Sequence, residues 1–203
     1  MLTRYSEARL PTPFGEFRVL VYRTGTGARA GSTAVGLDHE EHVAMVMGDV
    51  TGPDVLTRVH SSCFTGEVLS SLRCDCRAQL DAALGRIARE GRGVLVYLVQ
   101  EGRGIGLGNK VRAYQLQDEG KDTVEANLAL GFEADLRSYD LAAGILRDLG
   151  VASVRLMTNN PAKQEGLERA GVVIDALEAH WVGASEHNAD YLNAKRIKLG
   201  HLP

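Results

Sequence analysis

Residues 78–119 read AQLDAALGRIAREGRGVLVYLVQEGRGIGLGNKVRAYQLQDE, and their periodicity and punctuation decide the fold. Leu80, Ala83, Leu84, Ile87 and Ala88 recur at helical spacing and predict an amphipathic helix over Ala78–Glu90. Val94–Val99 is a short apolar run set between GRG and QEGRGIG, which reads as a strand. A second helix is expected over Asn109–Glu119. Helix, strand, glycine loop and helix in succession is α/β order, the pattern of a sheet covered by helices.

The same alternation continues downstream. Ala142, Ile145, Leu146 and Leu149 share one helical face, with Ser138 as expected N-cap and Gly150 just past the end. Val154–Met157 reads as a strand. Asn160-Pro161 reads as the N-cap and first turn of a helix ending near Gly171, and Val172–Ala176 as a further strand. Residues 188–200 look like a closing helix. Upstream, Glu16–Tyr22, His42–Met47 and Val55–Val59 are short apolar or β-branched runs separated by Gly, Pro and Asp. Between the first two lies TGTGARAGST, residues 24–33, which reads as a flexible loop. The expected fold is therefore mixed α/β: a β-rich N-terminal part, then alternating helices and strands, in one compact domain over residues 1–203.

Composition narrows the function classes. Apolar content of 44% and charged content of 24% are ordinary for a soluble globular protein. A net charge of −3 gives no support for a nucleic-acid surface. No apolar run approaches the length of a membrane span, and MLTRYSEARL lacks the hydrophobic segment of an export signal. Clustered reduced cysteines then point to the cytoplasm.

The chain has 3 cysteines, Cys63, Cys74 and Cys76, all within CFTGEVLSSLRCDC. A disulfide would strand one thiol, and Cys74 and Cys76 are too close for an unstrained bridge. Three soft ligands together suit one zinc ion. Structural zinc sites take four protein ligands, whereas catalytic sites keep three and leave a water in the fourth position. The cysteines alone leave both readings open, because a histidine such as His60 would close the shell.

Several cations stand at the ends of expected elements. Arg58 ends a strand, Arg103 lies in QEGRGIGLGNK, and Thr158 and Lys163 flank the helix start at NNPAK. Glycine-rich turns and helix N-termini favour anions, and arginine adds a fork suited to phosphate. The spacings of a Walker loop and of a dinucleotide fingerprint are both absent.

RVHSSCFTGEVLSSLRCDCRAQL, then YLVQEGRGIGLGNKVRAYQLQDEGKDTVEAN, LGFEADLRSYDLAAGIL and RLMTNNPAKQEGL, closely resembles GTP cyclohydrolase II, from LPTPFGEF to YLNAKRIKLGH. The resemblance implies a catalytic zinc ion, one per chain, on Cys63, Cys74 and Cys76. It implies Tyr114, Asp135 and Arg137 as catalytic residues. Nucleotide contacts fall on Arg58, Val59, His60, Ser61 and Ser62, on Gln79, on Glu101, Gly102 and Arg103, and on Thr123, Thr158 and Lys163. The implied substrate is GTP with Mg2+ on its triphosphate, and the implied assembly is a homodimer.

The reaction the resemblance implies opens the guanine imidazole ring and releases formate and pyrophosphate, the first committed step of riboflavin synthesis. Carbon 8 of guanine is a poor electrophile, so its hydrolysis calls for a strong nucleophile such as zinc-held hydroxide. Arg137 either attacks the α-phosphate, with Asp135 as activating base, or clamps its charge. Glu101 is a candidate reader of the guanine N1–H and 2-amino group.

Ser62 stands where the family pattern has a glutamate, Arg77 follows CDC where glycine is usual, and Leu128 stands where histidine is common. These departures keep other readings in view. One is an enzyme that stops at the formamidopyrimidine or acts on a related purine nucleotide in specialised metabolism. Another is a zinc-stabilised nucleotide-binding regulator without catalysis. A companion domain making the butanone phosphate is not expected in 203 residues.

Overall fold

The computed structural model describes residues 2–25, 40–133 and 135–183, together with 188, 193 and 200. Seven strands form one sheet: β1 (Leu2–Thr12), β2 (Gly15–Thr24), β3 (Glu40–Met47), β4 (Val55–Ser61), β5 (Gly93–Leu98), β6 (Ser153–Met157) and β7 (Val173–Glu178). Their spatial order is β1-β2-β3-β5-β4-β6-β7. The pairs β1–β2, β2–β3 and β3–β5 are antiparallel, while β5, β4, β6 and β7 are mutually parallel. The mixed α/β expectation holds.

The helices are α1 (Phe64–Glu67), α2 (Cys76–Glu90), α3 (Gly106–Asp118), α4 (Thr123–Ala129), α5 (Asp140–Asp148) and α6 (Pro161–Arg169). The central strands β4 and β5 are almost wholly buried, as strands covered on both faces must be. Alternation splits their side chains between two cores. Leu56 and Leu95 pack with Ala83 and Ile87 of α2 on one face. Val55, Val94 and Val96 pack with Ala142, Ile145 and Leu146 of α5 on the other.

This two-sided cover places the site. From β4 the chain passes through α2, on one face, to reach β5. From β5 it passes through α3, α4 and α5 to reach β6 on the far side of β4. The two connections diverge beyond the carboxyl ends of β4 and β5. A crevice at that switch point is where open parallel sheets bind ligands.

Some elements differ from the sequence reading. The edge strand β1 was not expected, because its side chains are nearly all exposed and give no alternating pattern. Helix α2 begins two residues earlier than expected, which puts Cys76 in its first turn. Tyr139 rather than Ser138 is the N-cap of α5, and it makes no side-chain cap bond. Ser138 instead accepts from the Asp140 N–H at 3.2 Å. Helix α4 was overlooked although Asp122 and Glu125 form a reciprocal capping box at its start. Asn160 and Pro161 open α6 as expected. Residues 26–33 of the expected loop, and the expected helix over 188–200 apart from three residues, lie outside the described residues. Among the described residues, no helix is long and apolar enough to cross a membrane.

Candidate active site

A cavity of about 780 Å3 opens beyond the ends of β4 and β5, within the size range of ligand sites. Its walls bring together residues far apart in the chain: Arg58, His60 to Cys63, Cys74 and the start of α2, the Gln100–Arg103 loop, Tyr114, Arg137 and Lys163.

The three sulfurs lie within 4.8 Å of one another, and Cys63 Sγ is 3.6 Å from Cys74 Sγ. Three thiolates on one tetrahedral zinc at about 2.3 Å would stand about 3.8 Å apart, so the donor set and its spacing fit that ion. Gly66 makes the approach possible. A Cβ there would sit 2.7 Å from Cys74 Sγ and 3.2 Å from Cys63 Sγ. Hydrogen bonds from Cys74 and Cys76, with Lys110 alongside, hold Cys63 far below the usual thiol range. The same sharing raises Cys74 and Cys76.

His60, the sequence competitor for a fourth ligand, is engaged elsewhere. Its Nε2 lies 2.7 Å from Glu67 Oε1 in a buried pair, and its ring stacks on Tyr97. The Tyr97 hydroxyl donates to the other Glu67 oxygen at 2.5 Å. This triad ties α1, through Glu67, to β4 and β5 and so braces the segment that follows Cys63. Among the described residues, no fourth His, Cys, Asp or Glu joins the sulfur cluster.

Three buried histidines share one electrostatic condition. Burial lowers His42, His60 and His180, the last to about 3 with Arg58 adding to the effect. A group depressed on folding gives stability that is present above its unfolded value, about 6.5, and lost as pH falls below it. Chemical denaturation at pH 7.5 and 5.5 should show that loss, at up to about 1.4 kcal/mol per pH unit for each histidine. His180 Nε2 donates to the Gln79 carbonyl at 2.8 Å, a bond that glutamine can imitate. His180→Gln should therefore flatten the pH dependence, and an unchanged slope would exclude His180 as a contributor.

The cations are fixed by the protein's own acceptors. Arg58 donates to the Met157 carbonyl at 2.7 Å and to Gln79 Oε1 at 2.6 Å, and Gln79 donates in turn to Asp75 at 2.6 Å. Burial lowers Arg58 to about 10, with Asp75 opposing, so it stays charged at neutral pH. Gln79 thus ties the Cys74–Cys76 turn to β4. Lys163 donates to the Val59 carbonyl at 2.6 Å, near the N-terminus of α6. Val59 itself turns into the core. Thr158 and Lys163 are both buried and line the cavity. Among the described residues, Arg58 Nε, His60 Nδ1, Ser61 Oγ and Arg103 Nη1 are buried without a hydrogen-bond partner, and all belong to cavity residues.

Tyr114 enters from α3, its hydroxyl 3.1 Å from Thr65 Oγ1 of α1, two residues after Cys63. Burial raises its pKa, so the phenol keeps its proton at neutral pH. Asp135 and Arg137 form a fork, with Nε donating to Oδ1 at 2.8 Å and Nη2 to Oδ2. Burial pushes Asp135 up, but the hydrogen bonds and charge of Arg137 outweigh it and hold the carboxyl below its ordinary value. Arg137 faces the cavity and Asp135 stands behind it. The Arg103 carbonyl accepts from the Leu136 N–H at 3.0 Å, docking this segment on the glycine loop. Thr123 lines the wall from the first turn of α4, and Ser62 accepts from the Gln100 N–H at 3.2 Å.

Glu101 lines the cavity and has partners of its own. Its carboxylate accepts from Lys110 Nζ at 2.7 Å, the Gly102 N–H at 2.9 Å and the Phe64 N–H at 2.6 Å, which anchors it to the loop that carries Cys63. The sequence reading missed Glu67, Thr65 and Asp75 as site residues. Glu67 lies between the cysteines, four residues from the nearest of them, and only the fold brings it against His60.

The family model described as GTP cyclohydrolase II matches residues 3–178. This chain belongs to the GTP cyclohydrolase II family. It is 50% identical over 99% of its length to the protein named GTP cyclohydrolase-2 of Aeromonas hydrophila, covering 97% of that relative. It is 54% identical to riboflavin biosynthesis protein RibBA of Bacillus velezensis and 53% identical to RibBA of Bacillus subtilis, each over 100% of this chain. It spans about half the length of those RibBA relatives, 48% in both cases.

Proposed function

We propose that this GTP cyclohydrolase II family member opens the guanine ring of GTP, releasing formate and pyrophosphate to give 2,5-diamino-6-ribosylamino-4(3H)-pyrimidinone 5′-phosphate. The observation that carries the reading is a three-sulfur cluster facing one cavity together with a protonated phenol and several fixed cations. Zinc, when bound by Cys63, Cys74 and Cys76, supplies a Lewis acid and a water nucleophile at neutral pH. Magnesium belongs with the triphosphate, held through phosphate oxygens and water rather than a protein cage.

The remaining work falls to the chain's own side chains. Arg58, Lys163 and the N-terminus of α6 hold phosphate oxygens. Arg137 offsets charge on the α-phosphate as pyrophosphate leaves. Tyr114, kept protonated and aimed by Thr65, donates a hydrogen bond or proton to the ring-opened formyl intermediate. The assembly that goes with this reading is a cytoplasmic homodimer acting on a small molecule, with neither nucleic acid nor membrane involved.

Incubation with GTP, zinc and magnesium, followed by mass identification of the products, tests the reading. Stoichiometric formate and pyrophosphate support it. Tight GTP binding without turnover would replace it with a regulator. Tyr114→Phe should slow formate release about 10²- to 10⁴-fold, the usual range for a lost proton donor, and let the formamidopyrimidine accumulate. Undiminished formate from that variant would remove Tyr114 from the second hydrolysis.

A further inference from the structure

We infer that Lys110 and Glu101 form an outer clamp on the metal centre, with Lys110 donating to the Cys63 sulfur and Glu101 fixing both Lys110 and the loop that carries Cys63. The inference rests on the zinc reading above and extends it to two residues outside the ligand set. Lys110 Nζ lies 3.1 Å from Cys63 Sγ and 2.7 Å from Glu101 Oε1. Both charged side chains are 12% exposed. Glu101 Oε2 accepts from the Phe64 N–H at 2.6 Å, the first backbone donor after Cys63. One carboxylate therefore grips the ligand's backbone with one oxygen and the ligand's hydrogen-bond donor with the other.

The local sequence is shaped for this arrangement. Gly102 and Arg103 both adopt left-handed backbone, at φ 62° each, which turns the chain sharply after Glu101. That turn lets the carboxylate accept from its own neighbour's N–H. A Cβ at Gly102 would meet Ile105 Cγ1 at 3.0 Å and Lys110 Cβ at 3.1 Å, so the glycine keeps the Lys110 stem uncrowded. Left-handed backbone at a residue other than glycine is costly, and such strain gathers at functional sites. Lys110 and Tyr114 are four residues apart on α3, on one helical face, and both turn towards the metal loop.

The chemistry gives the clamp a purpose. Three thiolates on a divalent ion leave one net negative charge, and three strong sulfur donors make the metal a weak Lewis acid. An ammonium N–H on one sulfur offsets the charge and withdraws electron density from that donor. Outer partners of this kind orient metal ligands, and losing one typically weakens metal binding about 10- to 100-fold. A plain surface ion pair between Lys110 and Glu101 would need neither the sulfur contact nor the bond to Phe64.

The test is zinc affinity by competition with a chromophoric chelator, with no substrate present. Lys110→Met should bind zinc about 10- to 100-fold more weakly than wild type, and Lys110→Arg should recover most of that loss. In cobalt-substituted protein, Lys110→Met should move the sulfur-to-metal charge-transfer band to lower energy, because an unbonded thiolate gives up charge more easily. A purely structural role would not move that band. The double variant Lys110→Met, Glu101→Gln leaves no unpaired buried charge to disturb folding, and it should still show both effects. Wild-type affinity and an unshifted band in the double variant would overturn the clamp. Absence of zinc binding by the wild-type protein would instead overturn the zinc reading itself.

Discussion

Gly66→Ala is expected to leave the protein folded while weakening its hold on zinc and stopping most formate release, because the added methyl group has no space except that of the sulfurs. The new Cβ would lie 2.7 Å from Cys74 Sγ, 3.2 Å from Cys63 Sγ and 3.5 Å from Cys76 Cβ. Its backbone is not left-handed, so alanine is acceptable to the chain itself, and even favoured in a helix. The tightest conflict is with the sulfur cluster. Overpacking of this kind costs about 1–3 kcal/mol, which taken up by the sulfur cluster weakens zinc roughly 5- to 150-fold. Activity should fall further, since any sulfur that moves would also re-aim a zinc ion held by Cys63, Cys74 and Cys76. Metal analysis after dialysis at buffered free zinc, with formate measured in parallel, checks both. One tightly held zinc per chain and near wild-type formate release would show that the cluster can shift without consequence.

That glycine shows what was legible in the sequence and what was not. The cysteines announced a metal site by number and spacing, and the alternation around residues 78–119 announced a sheet covered by helices. Both signals are local. The reason a glycine must stand at 66 is a contact between sulfurs that only folding assembles. Glu101 was legible as a carboxylate after a strand, but its partners, Phe64 and Lys110, come from two other elements. A polar residue read in isolation looks free to bind a ligand, because sequence shows its chemistry and hides its neighbours. Strand β1 failed for the opposite reason. As an edge strand with both faces largely exposed, it lacks the alternation on which strand recognition depends.

The pairing of Asp135 with Arg137 bears on the choice between nucleophile and clamp, and the second large effect is expected there. A protonated guanidinium has no lone pair to offer phosphorus, so nucleophilic attack requires Asp135 to take a proton first. Asp135 is instead held below the ordinary carboxylate range once Arg137 outweighs its burial, which favours the ion pair over proton transfer. A depressed carboxyl stays ionised above its unfolded value of about 3.9, so it should add no acid limb to the rate profile between pH 6 and 8. We therefore expect Arg137 to act as a fixed charge aimed by Asp135. Arg137→Ala should lower pyrophosphate release about 10²- to 10³-fold, the usual loss for one preorganised donor. Arg137→Lys keeps the charge without the fork and should retain more activity than Arg137→Ala, while Asp135→Asn should lose orientation but not all turnover. Intact-protein mass spectra of quenched wild-type reactions decide the matter. A guanylyl adduct on the chain, absent from an inactive Arg137→Lys variant, would require arginine to act as the nucleophile after all, and Asp135 would then have to be the base that frees it.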